Sequence, residues 1–415
     1  MIDIELIRTH PDIVKKAVSD KNEKVNIDNV IQLDEQRRKL ITSIEGLRNK
    51  RNQTSDEIAK LKKEKKDAAS LISAMKQVGD DIKSNEEKLR GLETELTKQL
   101  AWIPNIAAKD VPIGDATANQ VVKEWGTRKK FDFTPLPHWE IGKNLGIMDL
   151  PTATKITSSG FILLKGFGAR LERSLINFML NLHTTKHGYK EINPPYLVNR
   201  QTMFATGQLP KLEADMFRAN EDDLFLIPTA EVPLTNIHRD DVLKYDDLPV
   251  YYVAGTACFR REAGSYGKET RGITRVHQFN KVELLKFVHP TTSFDELEKL
   301  TADAESVLQA LELEYRVVKL ATGDMSFASA KTYDIELWAP GMGQYLEVSS
   351  CSNFTDFQAR RGNIRFKDKD NRMKFVHTLN GSGVALPRLL IAVMETYQQK
   401  DGTIVVPAVL KPYMG

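Results

Sequence analysis

Cysteine is scarce in this chain: 415 residues hold two, Cys258 and Cys351. Both fall in strand-like runs and no Cys-x-x-Cys occurs, so neither a disulfide framework nor a cysteine zinc site is supported, and no zinc is expected. No stretch approaches the roughly 20 apolar residues that span a bilayer. The opening Met-Ile-Asp-Ile-Glu-Leu-Ile-Arg-Thr-His-Pro-Asp mixes charges where a signal peptide carries an apolar segment. The expectation is a soluble, cytoplasmic protein with no membrane partner. An excess of one charge is also missing, with 59 Lys and Arg against 56 Asp and Glu. Affinity for nucleic acid must therefore come from a local patch. Neither a P-loop nor a Rossmann glycine pattern appears, so any nucleotide is bound in another way.

What is present is globular in character. Hydrophobic content of 41% and charged content of 28% suit a large core, and the length suggests two or three domains. Residues 1–26 read as a short helical lead-in. Val30, Leu33, Leu40, Ile44, Leu47, Ile58 and Leu61 then recur in steps of three and four, with Arg37, Arg51 and Thr54 in the remaining seam positions. The pattern fails over 62–70 and restarts at Leu71, Met75, Val78, Ile82, Leu89, Leu92 and Leu96, with Asn85 interrupting. Two heptad helices joined by a short break fold back as an antiparallel coiled-coil hairpin. At 1.5 Å per residue the first is roughly 48 Å long, an arm projecting from the body. Residues 37–66 carry eleven basic and four acidic side chains, a net of +7, whereas 67–100 carry five and seven, a net of −2. Coiled-coil surfaces are ordinarily charged. The concentration of Lys60, Lys62, Lys63, Lys65 and Lys66 at the tip nonetheless makes a phosphate-contacting surface suited to structured RNA.

After Trp102-Ile-Pro-Asn-Ile106, residues 107–119 read as linker. Apolar spacing predicts a helix over 164–187 with Gly188 as its C-cap. The run Tyr189-Lys-Glu-Ile-Asn-Pro-Pro-Tyr-Leu-Val198 reads as a strand confined to an edge or interface, because Pro194 and Pro195 cannot donate to a central ladder. Beyond it, strand-like runs alternate with loops and helices, predicting an α+β domain in which helices pack on an antiparallel sheet.

Within that domain one hairpin carries more charge than folding requires. Residues 250–259 form its first strand and 275–285 its second, so Arg275, His277, Phe279, Lys281 and Glu283 share a face while Val276, Val282 and Leu284 take the other. Such a face is a floor for a ligand with anions, a flat ring and a cation. Three further stretches have this character: Thr229-Ala-Glu231, the strand Gln344-Tyr-Leu-Glu-Val-Ser-Ser-Cys-Ser-Asn353, and the Gly-rich junction Leu379-Asn-Gly-Ser-Gly-Val-Ala-Leu-Pro-Arg388 opening an apolar helix. Taken singly, serines and glycines at a helix start mean capping.

Taken together, Gly188-Tyr-Lys-Glu-Ile-Asn-Pro-Pro195, Phe259-Arg-Arg-Glu with Gly272-Ile-Thr-Arg-Val-His-Gln-Phe279, and Gly381-Ser-Gly-Val-Ala-Leu-Pro-Arg388 resemble motifs 1, 2 and 3 of the class II aminoacyl-tRNA synthetases. Thr206-Gly-Gln-Leu-Pro210, Thr229-Ala-Glu231, Phe357-Gln-Ala-Arg-Arg361 and the heptad arm are similar to the bacterial-type seryl-tRNA synthetase family in particular. The resemblance implies a tRNA-binding domain over 1–105 whose arm covers about 27–100, a linker over 106–130, and a catalytic domain over 131–415. Motif 1 then lies near 188–198, motif 2 at 259–283 and motif 3 at 379–397. It implies a homodimer with Pro195 near the interface. The implied reaction is ATP-dependent formation of seryl-adenylate from L-serine, then transfer to tRNA(Ser) and, in some members, tRNA(Sec).

The residues carry this chemistry in separable roles. Serine's carboxylate is already ionised at neutral pH, so attack on the α-phosphate needs alignment and charge neutralisation rather than a base. Arg260, Glu347 and Arg388 are the implied catalytic residues, Arg260 bridging α-phosphate and carboxylate as a planar fork suits. Around ATP the resemblance places Arg260, Arg261, Glu262, Arg275, Val276, Phe279, Glu347, Val348, Ser349, Ser350 and Arg388. Phe279 stacks on adenine with Arg388 on its other side, and Glu262 orients the base. Glu347 and Ser350 would hold Mg²⁺ against the phosphates, a hard cation taking oxygen ligands. Serine falls to Thr229, Ala230, Glu231, Arg260, Glu283, Asn380 and Ser382, and tRNA to the five tip lysines. Lys268, Glu269 and Arg271 are expected to meet the tRNA acceptor end. Two other readings, a paralogue loading a carrier protein and an RNA-binding scaffold without catalysis, are disfavoured by the basic arm tip and by Arg260, Glu283, Glu347 and Arg388 respectively.

Overall fold

The computed structural model describes residues 1–263 and 271–415, so Lys268 and Glu269 lie outside the described residues. The chain divides into two compact units, 1–104 and 105–415.

The first unit is helical. Helices α1 (Ile4–Thr9) and α2 (Pro11–Asp20) precede two long ones, α3 (Ile27–Lys63) and α4 (Ala69–Leu100). Asn26 starts α3, its side chain accepting from Asn29 N–H at 3.1 Å to satisfy an otherwise orphan donor. The break between the long helices falls within the predicted 62–70. They run antiparallel, as the ion pairs Arg37–Glu93 and Arg48–Glu86, at 3.2 and 2.7 Å, require. Heptad positions are the sheltered ones. Val30, Ile44, Val78, Ile82 and Leu96 are buried, Leu33, Leu40, Leu47, Ile58 and Leu61 half-buried, and all five tip lysines exposed. With 37 residues, α3 spans about 55 Å.

The second unit is built on an eight-stranded sheet. Its strands are β1 (Gln120–Trp125), β2 (Lys190–Glu191), β3 (Val250–Phe259), β4 (Gln278–Val288), β5 (Tyr315–Lys319), β6 (Lys331–Ala339), β7 (Gln344–Asn353) and β8 (His377–Ala385). They lie in the order β1-β5-β6-β7-β8-β4-β3-β2, antiparallel except for β2 beside β3. Helices α5 (Phe167–Lys186), α6 (Ser293–Ala310) and α7 (Leu386–Tyr397) share one core with Val282, Leu284, Ile335, Leu337 and Leu379. Alternation therefore leaves the polar residues of β4, β7 and β8 on the other face. Sequence and structure differ in three places. The expected linker contains β1, which pairs with β5. The expected strand over 189–198 is two fragments, β2 at the sheet edge and Leu197–Asn199 in a separate three-stranded sheet, with Pro194 and Pro195 between them. The second hairpin strand begins at Gln278 rather than Arg275, because His277 N–H donates to Gly160 rather than continuing the ladder.

Candidate active site

A cleft of about 620 Å³ opens on the polar face of the sheet. Among the predicted residues Thr229, Glu231, Arg260, Glu262, Arg275, Val276, Phe279, Glu347, Val348, Ser350, Asn380, Ser382 and Arg388 line it. Four others lie elsewhere. Ala230 packs in the core with Leu234 and Ala254. Arg261 is exposed, 6.0 Å from the Phe217 ring. Ser349 is buried and donates its hydroxyl to the Ser382 carbonyl. Glu283 is fully buried below Asn380, which donates to its Oε1 at 2.8 Å. His277 departs from the expected face, its ring 5.3 Å from that of Phe161. Val276 takes the cleft side instead, the consequence of the strand starting late.

Two β-bulges make this grouping possible. Glu347 and Ser350, three residues apart, would point to opposite faces of a regular strand. The register of β7 slips against β6 at Val348, so Glu347 pairs with Glu336 while Ser350 pairs with Asp334, and both reach the cleft. A second slip in β8, between Ser382 and Val384, leads into α7 and Arg388.

The cleft has two chemically distinct ends. At one, Arg260 lies with its guanidinium 5.3 Å from the Phe279 ring centroid, and its Nε donates to the Pro228 carbonyl at 3.3 Å. The cation against Phe279 is thus Arg260, and Arg388, also in the lining, donates to the Glu347 carbonyl at 2.6 Å and the Thr274 carbonyl at 3.3 Å. Arg275 pairs with Glu262 at 3.1 Å, and Glu262 holds a left-handed backbone at φ 51°, a conformation that costs a non-glycine residue and is common at functional sites.

At the other end, Glu231 and Glu283 are joined through Asn380, whose Nδ2 donates to both, at 3.0 and 2.8 Å. Gln358 donates to Glu231 at 2.6 Å and accepts from Thr378 at 2.7 Å, while Lys281 Nζ stands 2.6 Å from Glu283. Burial, then the charge of Glu283, raises the Glu231 carboxyl to about 7. A cation arriving here would relieve that repulsion. Lys281 and Gln358 were named in the sequence without roles, and so were Thr206, Gly207 and Gln208, which also line the cleft.

Glu347, Ser350 and Asp334 offer only oxygen. Asp334 Oδ1 is buried without a hydrogen-bond partner, and burial followed by the charge of Glu347 raises its carboxyl well above the ordinary range. Local negative potential and hard donors fit a divalent cation. Among the described residues no group of three or more His, Cys, Asp or Glu is set to hold a metal alone. A small donor set suits Mg²⁺, which keeps phosphate and water among its ligands.

Residues 1–107 match the family model of the seryl-tRNA synthetase N-terminal domain, and 211–397 that of the tRNA synthetase class II core domain for G, H, P, S and T. The serine–tRNA ligase of Caldanaerobacter subterraneus is 55% identical over 100% of this chain and 98% of its own length. That of Geobacillus kaustophilus is also 55% identical, over 100% and 99%. Among solved structures, seryl-tRNA synthetase from Pyrococcus horikoshii complexed with ATP superposes with a TM-score of 0.93 at 35% identity, covering 100% of this chain and 98% of that one. With a fold, a polar cleft and full-length relatives in agreement, the chain belongs to the seryl-tRNA synthetases of class II.

Proposed function

We propose that the cleft is where this serine–tRNA ligase performs both halves of its reaction, with ATP toward Arg260, Phe279 and Arg388 and serine toward Glu231 and Glu283. In the first half a serine carboxylate oxygen bonds to the α-phosphorus and pyrophosphate leaves. In the second a terminal ribose hydroxyl of tRNA bonds to the seryl carbonyl carbon and AMP leaves. The observation that carries this reading is the polarity of the cleft, with arginines and an aromatic ring at one end and two buried carboxylates at the other.

Arg260, at the arginine end but near enough for its charge to act on Glu231, is suited to hold the α-phosphate and the serine carboxylate in line and to neutralise charge developing between them. Phe279 supplies a stacking surface for adenine with Arg388 on its other side, and Arg275 faces the phosphates. Glu347 and Ser350 would hold Mg²⁺; when bound, the ion neutralises phosphate charge. Glu231 receives the serine ammonium, with Glu283 buried behind Asn380 adding negative charge to that end, while Asn380 and Ser382 supply hydrogen bonds around the serine hydroxyl. A pocket that bonds the hydroxyl leaves polar groups unpaired with alanine, which is the physical basis of selectivity.

The exposed tip lysines contact tRNA(Ser), and tRNA(Sec) if it shares the feature they grip. The protein works as a homodimer in the cytoplasm, with Pro195 near the interface; among the described residues no helix is long and apolar enough to cross a membrane. Residues 1–105 serve tRNA binding and 131–415 catalysis. Serine-dependent exchange of pyrophosphate into ATP tests the assignment. Arg260→Ala should lower its rate about 10²–10³-fold, the scale of a lost transition-state donor, and a loss below tenfold would remove Arg260 from the reacting centre.

A further inference from the structure

Glu395 and His138 are both fully buried and lie outside the cleft lining. Glu395 Oε1 accepts from the His138 backbone N–H at 2.9 Å and from His138 Nδ1 at 3.0 Å. Its Oε2 accepts from Gly341 and Met342 N–H at 2.8 and 3.1 Å. On the far side of the ring, Ile273 N–H donates to His138 Nε2 at 3.1 Å. A backbone N–H can only donate, so Nε2 must carry the lone pair and the ring proton must sit on Nδ1, facing the carboxylate. Glu395 therefore selects the one tautomer that can hold Ile273.

What Ile273 leads into gives the contact its significance. Thr274, Arg275 and Val276 line the cleft, and the Thr274 carbonyl accepts from Arg388 Nε at 3.3 Å. Arg388 and Glu395 sit seven residues apart on α7, two turns that return to one face. A single helix thus places Arg388 directly and, through Glu395 and His138, the segment that Arg388 binds. The approach is close enough to dictate glycine at 272: its φ is 72° and a Cβ there would lie 2.1 Å from His138 Nε2. The next ring along adds a support, since the Arg271 guanidinium lies 4.6 Å from the Trp139 centroid.

We propose that the buried pair His138–Glu395 is a positioning device for the ATP side of the cleft, with His138 Nε2 holding the backbone of Ile273 so that Thr274, Arg275 and Arg388 keep their mutual geometry. Neither residue touches substrate; both act through the 273–276 segment. The inference rests on the assignment of that segment to ATP.

Two substitutions in the full-length protein separate this role from general packing. His138→Asn keeps an N–H where Nδ1 stood but cannot reach Ile273, whereas His138→Gln extends an acceptor toward it. In pyrophosphate exchange, His138→Asn is expected to raise KM for ATP about tenfold, on the scale of one lost buried hydrogen bond, with KM for serine within twofold. His138→Gln should recover most of that loss. The inference is overturned if the two variants show equal KM for ATP, or if KM for serine rises as much as KM for ATP. Should His138→Asn fail to melt cooperatively, Glu395→Gln replaces it: its amide N–H opposes donors on one side, so KM for ATP should again rise alone, and an unchanged KM overturns the inference. Absence of serine-dependent exchange in the unmodified protein would instead contradict the assignment of the cleft itself.

Discussion

In the proposed site Glu231 is the residue whose protonation would couple most directly to substrate. A free glutamate titrates near 4.5 and this one near 7, so between those values the folded protein retains a proton that the unfolded chain has released. The group's contribution to stability is therefore full below about 4.5 and is lost as pH rises toward 7. Serine binding has the opposite sign, because an incoming ammonium favours the ionised carboxylate. KM for serine in pyrophosphate exchange should fall as pH is raised from 6 to 8, and Glu231→Gln should flatten the profile. A flat profile in the unmodified protein would mean that Glu231 does not face the ammonium. Phe279→Ala should raise KM for ATP by about tenfold or more, since base–aromatic stacking is worth about 1–3 kcal/mol. Unchanged ATP affinity would place adenine elsewhere. These residues were legible because each lies in a short run with a recognisable neighbour. Gln358, His138 and Glu395 were not: Gln358 meets Glu231 across 127 positions and His138 meets Glu395 across 257, separations at which no local pattern exists.

Among the elements, the long helix pair was the most readable. Its seam obeys a simple period, and a helix needs no distant partner to define which side chains share a face. The hairpin was read less accurately, although β3 spans the predicted 250–259. Polar alternation continues through Arg275 and His277, but the His277 N–H is claimed by the Gly160 carbonyl at 2.8 Å, which ends the ladder there. Tertiary hydrogen bonds there override a valid local pattern. The bulge at Val348 was equally hidden, since it exists only in the register between two strands. The tip lysines lend themselves to a test at this scale. Replacing Lys60, Lys62, Lys63, Lys65 and Lys66 with Gln should weaken tRNA charging and reduce its salt dependence, as fewer phosphate contacts release fewer counterions. Pyrophosphate exchange should stay unchanged. Three of these lysines occupy the last turn of α3, where they complement the helix dipole by about 0.3–1 kcal/mol each, so a small fall in thermal stability is expected too. Unaltered charging would reduce them to that helix-capping role.

For the molecule as a whole, the proposed division of labour gives tRNA selection to the helical unit and adenylate formation to the sheet-based unit. Removal of residues 30–100 should abolish charging and spare adenylate formation; loss of both would contradict the division. The central claim, a cleft whose carboxylate end is fitted to serine and whose arginine end is fitted to ATP, predicts chemistry in the absence of tRNA. It is tested most directly by pyrophosphate exchange into ATP with serine, alanine and threonine compared in turn. Exchange should be robust with serine and at least about 100-fold slower with alanine, as expected when buried hydrogen-bonding groups lose their partner. Comparable exchange with alanine, or none with serine in folded protein, would contradict it.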